Sequence, residues 1–206
     1  VDGRAYAGGA FDWLTPFSLL TGISVVIGYA LLGSCWLILK TEGPLQAEAK
    51  RYALWSLAGV SICFALVSLA TLSIDPRITE RWGVTMTEID VLKLLPLSPI
   101  PIAGLFLTAW LARDLVHVGT KMAGPDWRPY LLGVGIFLTG YLGLAISLFP
   151  WLVPFELDIW QTAARDNALG LMLVGAGIML PVILLYTGYV YSLFWGKVKP
   201  GDGYHG

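Results

Sequence analysis

Two histidines, two cysteines and four methionines are the only imidazole or sulfur donors in this chain of 206 residues. Axial ligation of a buried haem would have to draw on them, aimed inward from helices. His205 lies in the Gly-rich tail GDGYHG, and His117 follows the third apolar stretch, so neither stands at membrane depth. Met172 and Met179 fall in the fifth apolar stretch, where a thioether is ordinarily a gap-filler rather than a ligand. Cys35 and Cys63 lie inside apolar runs and read as small buried hydrophobes; they leave the redox compartment open. Phosphate-cradling loops and the patterns HExxH, GxSxG and CxxC are absent. The expectation is therefore no catalytic residue, no metal ligand and no haem held by this stretch alone. A self-sufficient enzyme does not fit.

Ionisable groups inside hydrocarbon would mark a proton or ion path, because inserting them is costly without a partner or a function. The apolar cores contain none. The nearest are Asp12, the pair Arg113 and Asp114, and the pair Arg165 and Asp166. They read as interfacial anchors or helix-end charges, and Asp166 suits the positive end of a helix dipole.

The elements that would position these groups follow from composition. Hydrophobic residues make up 56% and charged residues 13% of the chain, with a mean hydropathy of +0.71, whereas soluble domains run to about 25% charged. The net charge of −1 offers no basic field for a phosphate backbone, so nucleic acid is excluded as a partner. Apolar runs near the ~20 residues that cross a bilayer as helix predict five spans, at about 16–39, 52–72, 97–112, 129–151 and 167–195. The expected fold is an all-α, polytopic transmembrane helix bundle, read as a single domain over 1–206. Pro99 and Pro101 suit the first turn of the third span. Trp13, Trp36, Trp127, Trp151 and Trp195 fall near proposed span ends, where indole rings favour the headgroup level; Trp55 and Trp110 fit less cleanly.

Basic residues set the orientation. Lys40, Lys50, Arg51, Arg113, Lys121, Arg128, Lys197 and Lys199 fall on one side, and Arg4, Arg77, Arg81, Lys93 and Arg165 on the other. Eight against five places the C-terminus in the cytoplasm. The opening stretch VDGRAYAGGAFDWL has no basic n-region and no small-residue cleavage site; a start at Val1 suggests a processed product or part of a longer polypeptide.

Two packing patterns stand out. Gly135, Thr139, Gly143 and Ser147 recur every four residues in the fourth span, which lines small side chains along one face for close approach of another helix. In the fifth span GAGIMLP sets Pro181 four residues after Gly177, where the ring meets the Gly177 carbonyl and a kink is expected.

Three separated stretches carry a resemblance: FDWLTPFSLL from Phe11, GYALLGSCWLILKTEG from Gly28, and PVILLYTGYVYSLFWGKV from Pro181. In this order they resemble subunit II of the cytochrome bd type quinol oxidases, nearest the cyanide-insensitive branch. The similarity runs through nearly the whole chain but covers only the later part of the family's subunit. The earlier helices, with acidic residues proposed for a proton route, have no counterpart. The resemblance implies a bacterial inner-membrane complex that oxidises quinol and reduces O2 to water with protons from the cytoplasm. Two haems b and a haem d would be ligated by subunit I, which also carries the quinol-oxidising loop. Subunit II would carry no haem, support assembly, and shape proton and oxygen access. A small third subunit is compatible with this, and membrane lipid is the other expected partner. The competing readings are a secondary transporter fragment with its site at the broken fifth span, and a bare membrane anchor or assembly protein.

Overall fold

The structure is a computed structural model, which describes residues 9, 11–12, 14–74, 98–120, 124–153 and 157–197. Five helices carry the chain: α1 (Pro16–Lys40), α2 (Pro44–Ile74), α3 (Pro99–His117), α4 (Arg128–Leu148) and α5 (Asp166–Leu193). A hairpin of two short antiparallel strands, β1 (Trp151–Val153) and β2 (Leu157–Asp158), precedes α5. All five helices are long and apolar enough to cross a membrane. The described residues divide into two units, one ending at Ser147 and the other spanning Leu148–Lys197.

Helix ends follow local chemistry rather than the edges of the apolar runs. Thr15 caps α1 by a reciprocal pair of bonds: its hydroxyl accepts from the Ser18 N–H (3.1 Å) and the Ser18 hydroxyl accepts from the Thr15 N–H (2.9 Å). Pro16, at the first helical position, loses nothing by lacking an N–H. At the far end the Thr41 hydroxyl donates to the Leu37 carbonyl (2.7 Å), and the Gln46 amide reaches back to the Ile38 carbonyl (3.0 Å). Gly43 adopts φ 68°, the left-handed conformation that lets the chain reverse at once into α2.

Helix α2 begins at Pro44 rather than near residue 52, because Leu45 to Arg51 are mostly good helix formers that continue the span beyond the hydrocarbon. For the same reason α3 extends through Ala112, Arg113 and Asp114 to His117. Helix α4 stops at Leu148 instead of 151, since Pro150 cannot continue it, and Trp151 becomes a strand residue. Helix α5 ends at Leu193, so Phe194 and Trp195 lie past it.

In the first unit α1 to α4 run up, down, up and down. A β-carbon placed on Gly59 of α2 would lie 2.9 Å from Ile27 of α1, and one on Gly133 of α4 would lie 3.2 Å from Leu32 of α1. Trp36 of α1 meets Tyr130 of α4 edge to face at 5.1 Å, while Tyr29 meets Phe137 at 5.9 Å. As the number rises along α1 it falls along α4, so the two are antiparallel neighbours.

The core lies toward the end where α1 passes into α2. It joins Leu31, Cys35 and Ile38 with Ala49, Ala53 and Leu57, Leu111 and Leu115, and Leu132 and Ile136. Each set follows the three- or four-residue spacing of one helix face. Ala49 and Ala53 are small, which lets α1 approach α2 closely; hydrocarbon gives no drive to hide Leu, so such contact is what membrane helices gain by associating. In the second unit, α5 buries none of its side chains.

Candidate functional site

The polar groups of the first unit gather at the end of α3. Asp114 stands in the last turn of α3, where the negative end of the helix dipole opposes an anion. Arg128 opens α4, where the positive end opposes a cation. Paired, the two misplaced charges cancel. Arg128 Nε donates to Asp114 Oδ2 at 2.6 Å and Nη2 to Oδ1 at 3.3 Å, a two-pronged bond that a lysine could not make. The carboxylate is 8% exposed and the guanidinium side chain 31%, with its cation 5.9 Å from the Trp110 ring.

Lys50, from α2, completes the arrangement. Its ammonium donates to the carbonyls of Val116 (3.0 Å) and Val118 (3.1 Å), which the end of α3 leaves without helical partners. A cation here complements the dipole that Asp114 opposes. Thus α2, α3 and α4 are tied together at one end by charge, beside the apolar core. At the same end Lys40 lies 5.2 Å from the Trp36 ring.

The four-residue ladder of α4 faces α3 of the same chain. A β-carbon on Gly135 would lie 3.1 Å from Leu107, one on Gly104 3.3 Å from the Thr139 hydroxyl, and one on Gly143 3.8 Å from Ile100. Ser147 is buried and donates to the Gly143 carbonyl (2.8 Å), and Thr139 donates to the Ile136 carbonyl (2.8 Å). Both hydroxyls thereby donate to carbonyls of their own helix, and the Thr139 hydroxyl oxygen is also the atom of α4 nearest to a β-carbon placed on Gly104. Gly177 and Pro181 sit within α5, which is helical from Asp166 to Leu193, and no side chain beyond those of its chain neighbours comes within 4 Å of a β-carbon placed on Gly177.

Sequence reasoning missed Lys50 as a helix clamp and Gly28 as a contact point. A β-carbon on Gly28 would lie 2.5 Å from Phe137, so that ring occupies the space a side chain would need. Its signal was a glycine in mid-span at a position the four-residue pattern of α4 did not include.

His117 is the one histidine among the described residues, it lies in the last turn of α3, and its Nδ1 is 2.7 Å from the Arg113 carbonyl. His205 lies outside the described residues. Among the described residues no three His, Cys, Asp or Glu side chains group as a metal site would require.

Comparison with known proteins supplies the family. The profile described as cytochrome bd terminal oxidase subunit II matches residues 1–194. The chain is similar to cytochrome bd-I ubiquinol oxidase subunit 2 of Escherichia coli strain K12, at 22% identity over 96% of this chain and 56% of that protein. It is similar to cytochrome bd ubiquinol oxidase subunit 2 of Bacillus subtilis, at 24% identity over 91% of this chain and 52% of the relative. A probable cytochrome oxidase subunit 2 of Haemophilus influenzae shares 23% identity over 94% of this chain and 55% of its own length. The chain spans about half the length of the curated relatives it matches. It is a multi-pass membrane protein of apolar helices, and it belongs to the cytochrome bd terminal oxidase subunit II family.

Proposed function

We propose that this chain is part of the haem-free structural subunit of a bacterial terminal oxidase that oxidises quinol and reduces O2 to water. The observation that carries the reading is the family match over 1–194, together with relatives named as ubiquinol oxidase subunits. The oxidase chemistry belongs to a haem-bearing partner, subunit I, which holds two haems b and a haem d. This chain supports that partner's assembly by presenting a preformed bundle of helices. Three properties support a supporting rather than a reacting role: the scarcity of imidazole ligands, the position of His117 at a helix end, and the use of Asp114, Arg128 and Lys50 in tying helices together. The C-terminus lies in the cytoplasm, on the side that the eight basic residues choose.

The test is capture of the affinity-tagged protein from native membranes in mild detergent. The reading expects a second, haem-bearing polypeptide in equal amount, three haem signals in the reduced-minus-oxidised spectrum, and O2 uptake on adding a quinol. Capture without haem and without O2 uptake would support the transporter or anchor readings instead.

A further inference from the structure

In the segment ahead of α5 three hydrogen bonds close the chain onto itself while three large apolar side chains stay open. The Ile159 N–H donates to the Pro150 carbonyl (3.0 Å), which closes the base. Asp158 Oδ1 accepts from the Gln161 N–H (2.7 Å), and the Thr162 hydroxyl donates to the Asp158 carbonyl (2.8 Å). Meanwhile Phe149, Leu152 and Trp160 keep 56%, 64% and 65% of their surface open, and Phe149 and Trp160 pack edge to face at 5.9 Å. Phe149 and Trp160 thus form one open aromatic pair, and Leu152 of β1 is a further open apolar side chain of the same short segment.

Chain connectivity fixes the level of these side chains in the bilayer. Helix α4 has 21 residues, about 31 Å at 1.5 Å per residue, against a hydrocarbon core of ~30 Å. Trp151 follows its last residue, Leu148, by three positions, a reach of at most about 11 Å. The headgroup layer beyond each face of the hydrocarbon is itself ~5–8 Å deep. An apolar hairpin tethered so closely to a spanning helix, and leading into another, sits at the boundary between headgroups and acyl chains. Aromatic rings gain most at that depth.

We propose that the hairpin is an interfacial anchor, with Phe149, Leu152 and Trp160 immersed in the lipid headgroup region. Its occupant is the lipid surface, which takes open apolar and aromatic side chains without needing a complementary pocket. The anchor would hold the entry of α5 at a fixed depth, with Arg165 and Asp166 at the polar level.

The experiment uses the whole complex reconstituted in bilayers of phosphatidylethanolamine and phosphatidylglycerol. Nitroxide labels are placed through Leu152→Cys and, separately, Trp160→Cys, in a background carrying Cys35→Ala and Cys63→Ala, with O2 uptake as the check that the complex is intact. Collision rates are measured with dioxygen, which partitions into lipid, and with a neutral nickel chelate, which stays in water. Immersion expects several-fold weaker collision with nickel than a free aqueous nitroxide shows, while collision with dioxygen stays high. Nickel collision equal to the aqueous value at both positions would overturn the proposal. Shielding from both reagents would also overturn it, because these positions would then be covered by protein.

Discussion

Removing one member of the pair between Asp114 and Arg128 should hurt far more in one direction than in the other. The carboxylate is 8% exposed, whereas the arginine side chain is 31% exposed and rests near the Trp110 ring. Arg128→Ala strands Asp114 with little access to water, in a helix turn whose dipole already opposes it. Breaking a buried pair in this way costs about 3 to 5 kcal/mol. Asp114→Ala leaves an arginine that can swing its long stem toward the headgroups and keep its contact with Trp110, so roughly 1 to 2 kcal/mol is expected after that relief. The double variant leaves no stranded charge and should be more stable than Arg128→Ala alone, the mark of coupling in a double-mutant cycle. Membrane complexes unfold irreversibly, so the assay is the half-life of the purified complex at one raised temperature. Equal losses from the two single variants, or a double variant whose loss is their sum, would refute the reasoning.

Gly28→Ala should force Phe137 aside at an overpacking cost of ~1 to 3 kcal/mol, and Phe137→Leu should restore much of the lost half-life. Gly143→Leu, which drives a side chain into Ile100, should lower the yield of intact complex, while Leu144→Ala, on an open face, should leave it near wild type; equal yields would deny the ladder a packing role. Lys50→Met should cost about 1.5 to 3 kcal/mol by releasing the Val116 and Val118 carbonyls, and a half-life unchanged from wild type would show those bonds to be idle. For orientation, single cysteines at Gly43 and Gly124, in a background lacking Cys35 and Cys63, should resist an impermeant thiol reagent in whole cells, and one at Gly83 should react. Gly83 lies outside the described residues, and labelling at 43 but not at 83 would reverse the topology.

The helices were legible because each apolar run is long, and a run of that length has one outcome in a bilayer. Their ends were less so. The stretch from Leu45 to Arg51 reads as a polar loop by hydropathy, yet its side chains favour helix, and that misplacement also hid Ala49 and Lys50, which act only as members of α2. Pro150 did mark a boundary that the hydropathy of Phe149 and Trp151 overrode. The ladder on α4 was visible as a face because helical spacing is local; that Leu107, Gly104 and Ile100 would meet it was not, since nothing local to either helix encodes the pairing. Asp114 and Arg128 looked like two separate helix-end charges for the same reason. Their attraction depends on the reversal between α3 and α4, and only the folded hairpin brings them within bonding distance.

The proposed function has this chain support haem chemistry without holding haem. The direct measurement is haem content per chain, by optical absorption in the Soret region, for the protein expressed without partners and again within the isolated complex. That function predicts no stoichiometric Soret band from the protein alone and three haem signals from the complex. A stoichiometric haem b spectrum from the protein alone, lost on replacing His117, would contradict it.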